Sequence, residues 1–310
     1  MAAVTDYLDH VSHSDCSDHS DCSDCSDCSD RSDRSDCSDR SDRSDRSDCF
    51  REVADPYCLE PGEAEALLTG HPWLRFAVLG DSIAEGVSEA VPGYSPQPCA
   101  DRVAAELGRG QSEFEYLNLG RRGLRAHEVR AGQLDAGLAF GPDLAFVACG
   151  ANDALRPGYE TRADAVDAET AAIIKALQGI GALVVTVSIF VRPVYPSLPA
   201  WLRPTGTERM AMLGARTAAV AAGLGTVHVD LARHPIASSM DSTSSDGLHG
   251  NARAQTVAAT EMIRALGAVL RGSSPSRASA PSLSSLPSLS SPSSLSAPAL
   301  AVRPHHLRES

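Results

Sequence analysis

The chain has 310 residues, 43% of them hydrophobic and 22% charged, with a formal net charge of −13. That acidic balance argues against nucleic acid as a partner, and Lys175, the only lysine, leaves Schiff-base or phosphate-loop lysine chemistry almost nothing to work with. No apolar run approaches the roughly 18 residues of a membrane-spanning helix, and no basic flank with an apolar core opens the chain, so a cytoplasmic protein is expected.

The charge is unevenly spread. Residues 1–50 hold 14 Asp and 5 Arg, a net −9, and the rest hold 26 acidic and 22 basic side chains, a net −4. From Ser14 to Cys49 the sequence is twelve consecutive Ser-Asp-X triplets in which X is Cys, Arg or His. Such a segment has no hydrophobic period and cannot bury a core, so residues 1–54 are expected to form a disordered tail. Cys22, Cys25 and Cys28 imitate a metal-binding spacing. The same slots continue with Arg and His, and single-base changes link the codons of Cys to Arg and of Arg to His, so a tandem repeat in the gene explains the pattern without a ligand. Cys58, Cys99 and Cys149 are odd in number and widely spaced, which suggests no disulfide framework.

Next come alternating strands and helices. Phe76–Leu79 is a short apolar run ending in Gly80-Asp81-Ser82, and it reads as a buried strand. A helix is predicted over Gln97–Leu107, a strand over Phe114–Leu119, a helix over Arg125–Leu138 and a strand over Asp143–Cys149. Arg162–Leu177 reads as an amphipathic helix, and Ala182–Ile189 is an unbroken β-branched strand suited to the centre of a parallel sheet. A Pro-rich loop covers Arg192–Pro204, followed by a helix over Thr207–Ala222, a strand over Thr226–Asp230 and a closing helix over Asn251–Leu270. Strands separated by helices predict βαβ units, a parallel sheet and helices on both faces. The globular body is expected over residues 55–271. Residues 272–310, rich in Ser, Pro, Leu and Ala, read as a second disordered tail.

Polar or Gly-bearing turns follow the first three strands: Gly80-Asp81-Ser82, Asn118-Leu119-Gly120-Arg121-Arg122-Gly123 and Gly150-Ala151-Asn152-Asp153. Asp246-Gly247-Leu248-His249 precedes the last helix. Acyl transfer needs a nucleophile, a base, a group that orients the base and donors for the oxyanion. These places offer all of them at one edge of one sheet, where open α/β folds put their chemistry.

Gly80-Asp81-Ser82, Gly123, Gly150-x-Asn152 and Asp246-x-x-His249 resemble, in order, the four blocks of the SGNH (GDSL-type) hydrolases. The resemblance implies an α/β fold: a three-layer α/β/α sandwich of the flavodoxin-like kind with a five-stranded parallel sheet. It also implies ester or thioester hydrolysis. Ser82 would be the nucleophile, His249 the base and Asp246 its orienting acid. The Ser82 and Gly123 N–H groups and the Asn152 amide would form the oxyanion hole. Gly120 competes with Gly123; the family places its donor glycine five residues after the Asn that ends the strand, which selects Gly123. No cofactor and no metal is implied. The implied partner is a small-molecule ester, and the oligomeric state is left open.

Other residues compete for these roles. His228 lies within a strand and reads as buried, while His127 and His234 read as surface residues. Asp81 and Glu85 read as holding the turn and the helix start after it, and Asp153 as bracing its loop. Tyr195, Leu198 and Trp201 would either wall an acyl pocket or pack in the core, and Arg121, Arg122 and Arg125 either attract an anion or form a solvated helix start. Two alternatives share the sequence: an acyltransferase using the same site, and a catalytically silent binding or scaffold domain.

Overall fold

Alternation along the strands sets the layers, because successive side chains of a β-strand point to opposite faces. In the computed structural model, residues 50–272 are described. The Ser-Asp-X repeat and the Ser/Pro/Leu/Ala-rich tail lie outside the described residues. The strands are β1 (Arg75–Gly80), β2 (Glu115–Asn118), β3 (Leu144–Ala148), β4 (Leu183–Ser188) and β5 (Val227–Asp230). They form one all-parallel, five-stranded sheet in the order β2-β1-β3-β4-β5.

Phe76, Val78, Phe146, Val185, Val187 and Val229 face one side. There they meet α2 (Glu63–Leu68), α4 (Cys99–Leu107) and α9 (Ala252–Leu270). Ala77, Leu79, Ala145, Val147 and Val184 face the other. They meet α5 (Ala126–Phe140), α7 (Tyr159–Gly179) and the end of α8 (Arg203–Leu224). The result is the expected three-layer sandwich. Its central strands are buried on both faces, which is why they read as unbroken apolar runs.

The strand order reverses between β1 and β3, since the chain leaves β1 for one side and returns across it to the other. A crevice opens at such a point beyond the carboxyl ends of the strands. Both turns there are short: α3 (Ser82–Glu85) follows β1 and α6 (Ala151–Ala154) follows β3.

The helices at the edges extend further than the sequence predicts. The amphipathic helix runs Tyr159–Gly179, and the helix after the Pro-rich loop starts at Arg203, with a proline in its first turn. Proline is tolerated there because the first-turn N–H groups have no intrahelical acceptor.

Residues 50–54, read from sequence as tail, form helix α1 (Phe50–Ala54). Glu52 receives Arg102 Nη1 and Nη2 at 2.7 and 3.0 Å and the Ser95 N–H at 2.9 Å. The pair is largely shielded, with side-chain exposures of 19% and 12%. Removing one partner of such a pair leaves the other charge desolvated and unpaired. A chain covering residues 55–271 is therefore expected to melt below one covering 50–272. The loss of about 1–3 kcal/mol corresponds to roughly 3–10 °C at this size. Equal melting temperatures, measured by circular dichroism, would show that α1 contributes nothing.

Candidate active site

The nucleophile turn is built by crowding. Gly80 ends β1 with φ 153°, and a Cβ there would lie 1.9 Å from the Ala148 carbonyl oxygen. Only glycine allows β1 and β3 to approach so closely at the edge of the sheet. Asp81 then caps α3, its Oδ1 accepting the Ile83 N–H at 3.0 Å. Ser82 opens the helix and is 7% exposed. Its N–H is at the start of a helix and has no intrahelical acceptor.

The segment 243–250 closes as a small hairpin through an antiparallel bridge between Thr243 and Gly250. It carries both Asp246 and His249. Asp246 Oδ1 accepts the N–H groups of Leu248 and His249 at 2.8 and 2.9 Å. Its Oδ2 lies 2.6 Å from His249 Nδ1, and His249 Nε2 lies 2.9 Å from Ser82 Oγ. A carboxylate only accepts, so Nδ1 carries the proton and Nε2 is free to accept from the serine hydroxyl. Ser82, His249 and Asp246, separated in sequence, thus form one hydrogen-bonded line.

Asn152 sits on α6. Its Nδ2 donates to the Leu124 carbonyl at 3.0 Å, which fixes the amide and leaves its second N–H to spare. Beside it, Asp153 Oδ2 accepts the Ala126 N–H at 2.9 Å, so this residue braces its loop against the start of α5. In the second turn the Gly120 N–H is taken by Asn118 Oδ1 at 2.8 Å. A Cβ on Gly120 would meet the Glu85 nitrogen at 2.3 Å, so its role is close packing. Gly123, at φ 80°, has open space around it and no partner for its N–H among the described residues.

Ser82, Asn152 and His249 line a cavity of about 80 Å³. Its other walls include Ile83, Leu155, Ile189, Phe190, Tyr195 and Leu248, so it is mainly apolar. Tyr195 and Leu198 are buried, and Trp201 is half exposed.

Two carboxylates beside the nucleophile have opposite electrostatics. Burial pushes Asp246 up, but the hydrogen bond from His249 and those from the Leu248 and His249 N–H groups outweigh it and hold the carboxyl at about 2. Asp81 is fully buried and its Oδ2 has no partner. Burial pushes it up to about 7 against the pull of the Ile83 N–H and of His249.

Several expectations are refined. His228 is half-buried in β5, with Nδ1 2.9 Å from Thr186 Oγ1, and burial lowers its pKa. His127 is exposed. His234 is not a free surface residue; it is wedged edge-on against Tyr57 and Phe190. Glu85 does not serve the helix start but binds the Arg122 backbone and guanidinium, and Arg125 pairs with Glu128 at 2.8 Å. These pairings consume two of the three arginines that sequence offered as an anion site.

Sequence reasoning missed the residues that hold the hairpin. Buried Arg192 donates to the Ser242 carbonyl at 3.1 Å, to Thr243 Oγ1 and, at 3.4 Å, to the His249 carbonyl. Glu89 accepts the Ser245 N–H, and its carbonyl takes the Ala252 N–H at 2.8 Å. Neither residue stands in a motif, and only the fold brings them to the hairpin. Among the described residues no group of three or more His, Cys, Asp or Glu is placed to hold a metal ion, and no helix is long and apolar enough to cross a membrane.

The sequence profile of the GDSL-like Lipase/Acylhydrolase family matches residues 78–257. Among solved structures, the acetylxylan esterase Axe2 from Geobacillus stearothermophilus is 15% identical, with 62% of this chain and 94% of that one covered at a TM-score of 0.50. TesA is 22% identical over 62% and 97% at 0.48. LAE5, an alpha/beta hydrolase from the metagenome of Lake Arreo, is 16% identical over 62% and 94% at 0.49. At its identity the likeness to Axe2 speaks to the fold alone. No curated protein matches the chain.

The elevated Asp81 pKa makes a test by linkage. A carboxyl raised in the folded state holds its proton there while the unfolded chain has lost it, so stability falls as pH rises from about 4 towards 7. Asp81→Asn removes that titration. Between pH 5 and 8 the variant is expected to gain on the parent by on the order of 1–3 kcal/mol in denaturant unfolding. A difference independent of pH would show that Asp81 is not held protonated.

Proposed function

The chain belongs to the GDSL-like lipase/acylhydrolase family and is a hydrolase acting on ester bonds, and from that premise we propose that it works through an acyl-enzyme on Ser82. The observation that carries the proposal is the continuous line from Asp246 Oδ2 through His249 to Ser82 Oγ, at 2.6 and 2.9 Å.

A free serine hydroxyl is a weak nucleophile and needs a base in hydrogen-bond contact. His249 Nε2 takes the hydroxyl proton as Ser82 Oγ attacks the ester carbonyl carbon. The carbonyl π-electrons move to oxygen, and the resulting oxyanion is held by the Ser82 and Gly123 N–H groups and the spare Asn152 N–H. When the tetrahedral species collapses, His249 gives its proton to the departing alcohol, and the acyl group stays on Ser82. Water then attacks the acyl carbon, with His249 again taking the proton; the second tetrahedral species breaks its bond to Ser82 Oγ, His249 returns the proton to that oxygen, and the carboxylic acid leaves. Asp246, held ionised at about 2, fixes the imidazole tautomer and offsets its charge when it is protonated. The apolar walls of the cavity suit a carbon chain on the acyl side of the ester. The intact serine–histidine–aspartate line favours catalysis over a silent binding domain. An acyltransferase differs only in which hydroxyl accepts the acyl group, and added alcohols competing with water would reveal it.

The oxyanion assignment is tested at Asn152. Asn152→Ala is expected to keep the fold and to lower kcat by roughly 10²–10³-fold on an activated ester, with KM changed much less. Asn152→Asp should be at least as harmful, since a carboxylate offers no donor and repels the oxyanion, and Ser82→Ala should cost most. Parent turnover in Asn152→Ala would reduce Asn152 to a turn residue.

A further inference from the structure

We infer that Gln133 is the positioning residue of the nucleophile turn, acting on Ser82 through the peptide groups of Gly80. This inference rests on the reading of Ser82 as nucleophile and adds a residue to it.

β1 pairs with β2 only as far as Val78 opposite Asn118, whereas it pairs with β3 as far as Gly80 opposite Ala148. Towards β2 the Leu119 N–H donates to the Val78 carbonyl at 2.8 Å, and past it the Arg121 N–H donates to the Gly80 carbonyl at 3.1 Å. Among the described residues no backbone carbonyl on that side takes the Gly80 N–H, which remains inside the protein. A buried backbone donor without a partner is strongly disfavoured.

Gln133 supplies the partner. Its Oε1 accepts the Gly80 N–H at 2.7 Å, and its Nε2 donates to the Gly80 carbonyl at 2.9 Å. A carboxamide offers the same donor and acceptor as a peptide group, and here it extends the ladder by one step. The two bonds also fix the amide orientation, because the flipped side chain would face donor with donor. Gln133 is 5% exposed and lies on the buried stripe of α5 with Ala126, Val129 and Gly137. A polar residue in such a stripe costs free energy unless its bonds are made.

The same helix reaches the oxyanion turn. Asp153 binds the Ala126 N–H at its first residue, and Asn152 binds the Leu124 carbonyl just before it. From Ala126 to Gln133 is about 10 Å of rigid helix at 1.5 Å per residue. α5 therefore sets the separation between the nucleophile turn and the Asn152 turn, with Gln133 as its contact on the nucleophile side. Gly80 has no side chain through which packing can hold it, and its φ is one that few other residues adopt. Together with the Arg121 N–H on the Gly80 carbonyl and the Asp81 N–H on the Ala148 carbonyl, the carboxamide fixes the direction in which the chain enters Asp81 and Ser82.

The test uses Gln133→Met, which keeps volume and loses both bonds, and Gln133→Glu, which keeps the acceptor. Each full-length variant is assayed on p-nitrophenyl acetate and with a fluorophosphonate, which Ser82 Oγ attacks at phosphorus with loss of fluoride. Misplacing the nucleophile by a fraction of an ångström is expected to lower kcat and the phosphonylation rate together by about 10–100-fold in Gln133→Met. KM should stay within about twofold, and labelling should still reach one phosphonate per chain. Gln133→Glu should fall between Gln133→Met and the parent. A purely structural role would lower the melting temperature and leave kcat and the phosphonylation rate per labelled chain at the parent value, which would overturn the inference. If Gln133→Met does not fold, parent rates in Gln133→Glu overturn it equally. Ser82→Ala, run alongside, separates the two readings: loss of turnover there with normal Gln133 variants sinks this inference alone, whereas turnover in Ser82→Ala sinks both.

Discussion

The close approach of Gly80 to the Ala148 carbonyl is the constraint on which the site depends. Because no Cβ fits there, β1 and β3 stay side by side to the carboxyl edge of the sheet, and their turns open next to each other. One turn starts a helix with Ser82 and the other presents Asn152. The reversal of strand order at this pair leaves the crevice above them free of crossing chain. The hairpin carrying Asp246 and His249 is held by Arg192 and Glu89 through their hydrogen bonds to it.

Electrostatics sorts the acidic residues into different roles. Asp246 receives hydrogen bonds from His249 Nδ1 and two backbone N–H groups and stays ionised, as a partner for an imidazole that gains and loses a proton. Asp81, the residue directly before the nucleophile, is fully buried with one oxygen unpartnered, and its environment favours the proton. A second full negative charge beside Ser82 would oppose the oxyanion, and the burial of Asp81 works against that charge. The two side chains differ because Asp246 accepts three hydrogen bonds, one of them from the imidazole, whereas Asp81 accepts the Ile83 N–H and leaves Oδ2 without a partner.

Much of this was legible in the sequence. β-branched and apolar runs marked the strands, and glycine and proline marked their ends, since those signals are local. The candidate triad was legible because its turns resemble, in order, the blocks of the SGNH (GDSL-type) hydrolases. Helix α1 was not legible: its five residues have no period, and partners far along the chain give it a place, Arg102 and the Ser95 N–H on the Glu52 carboxylate and the Gly93 carbonyl on the Glu52 N–H. Gln133 left a faint signal as a polar residue within a buried helical stripe, but its partner is a backbone group that only the early end of β2 exposes. Arg192, read as the start of a loop, gave no signal, because the hairpin it supports is assembled by the fold.

The central claim is that Ser82 carries the acyl group during turnover. It is tested most directly by acid-quenching the enzyme within the first turnovers of p-nitrophenyl acetate and locating the modification by peptide mass spectrometry. The account predicts one acetyl group per chain, on the peptide containing Ser82, which disappears as substrate is exhausted. Acetylation confined to another residue, or rapid hydrolysis by the parent enzyme with no acetyl group on the Ser82 peptide at any quench time, would contradict it.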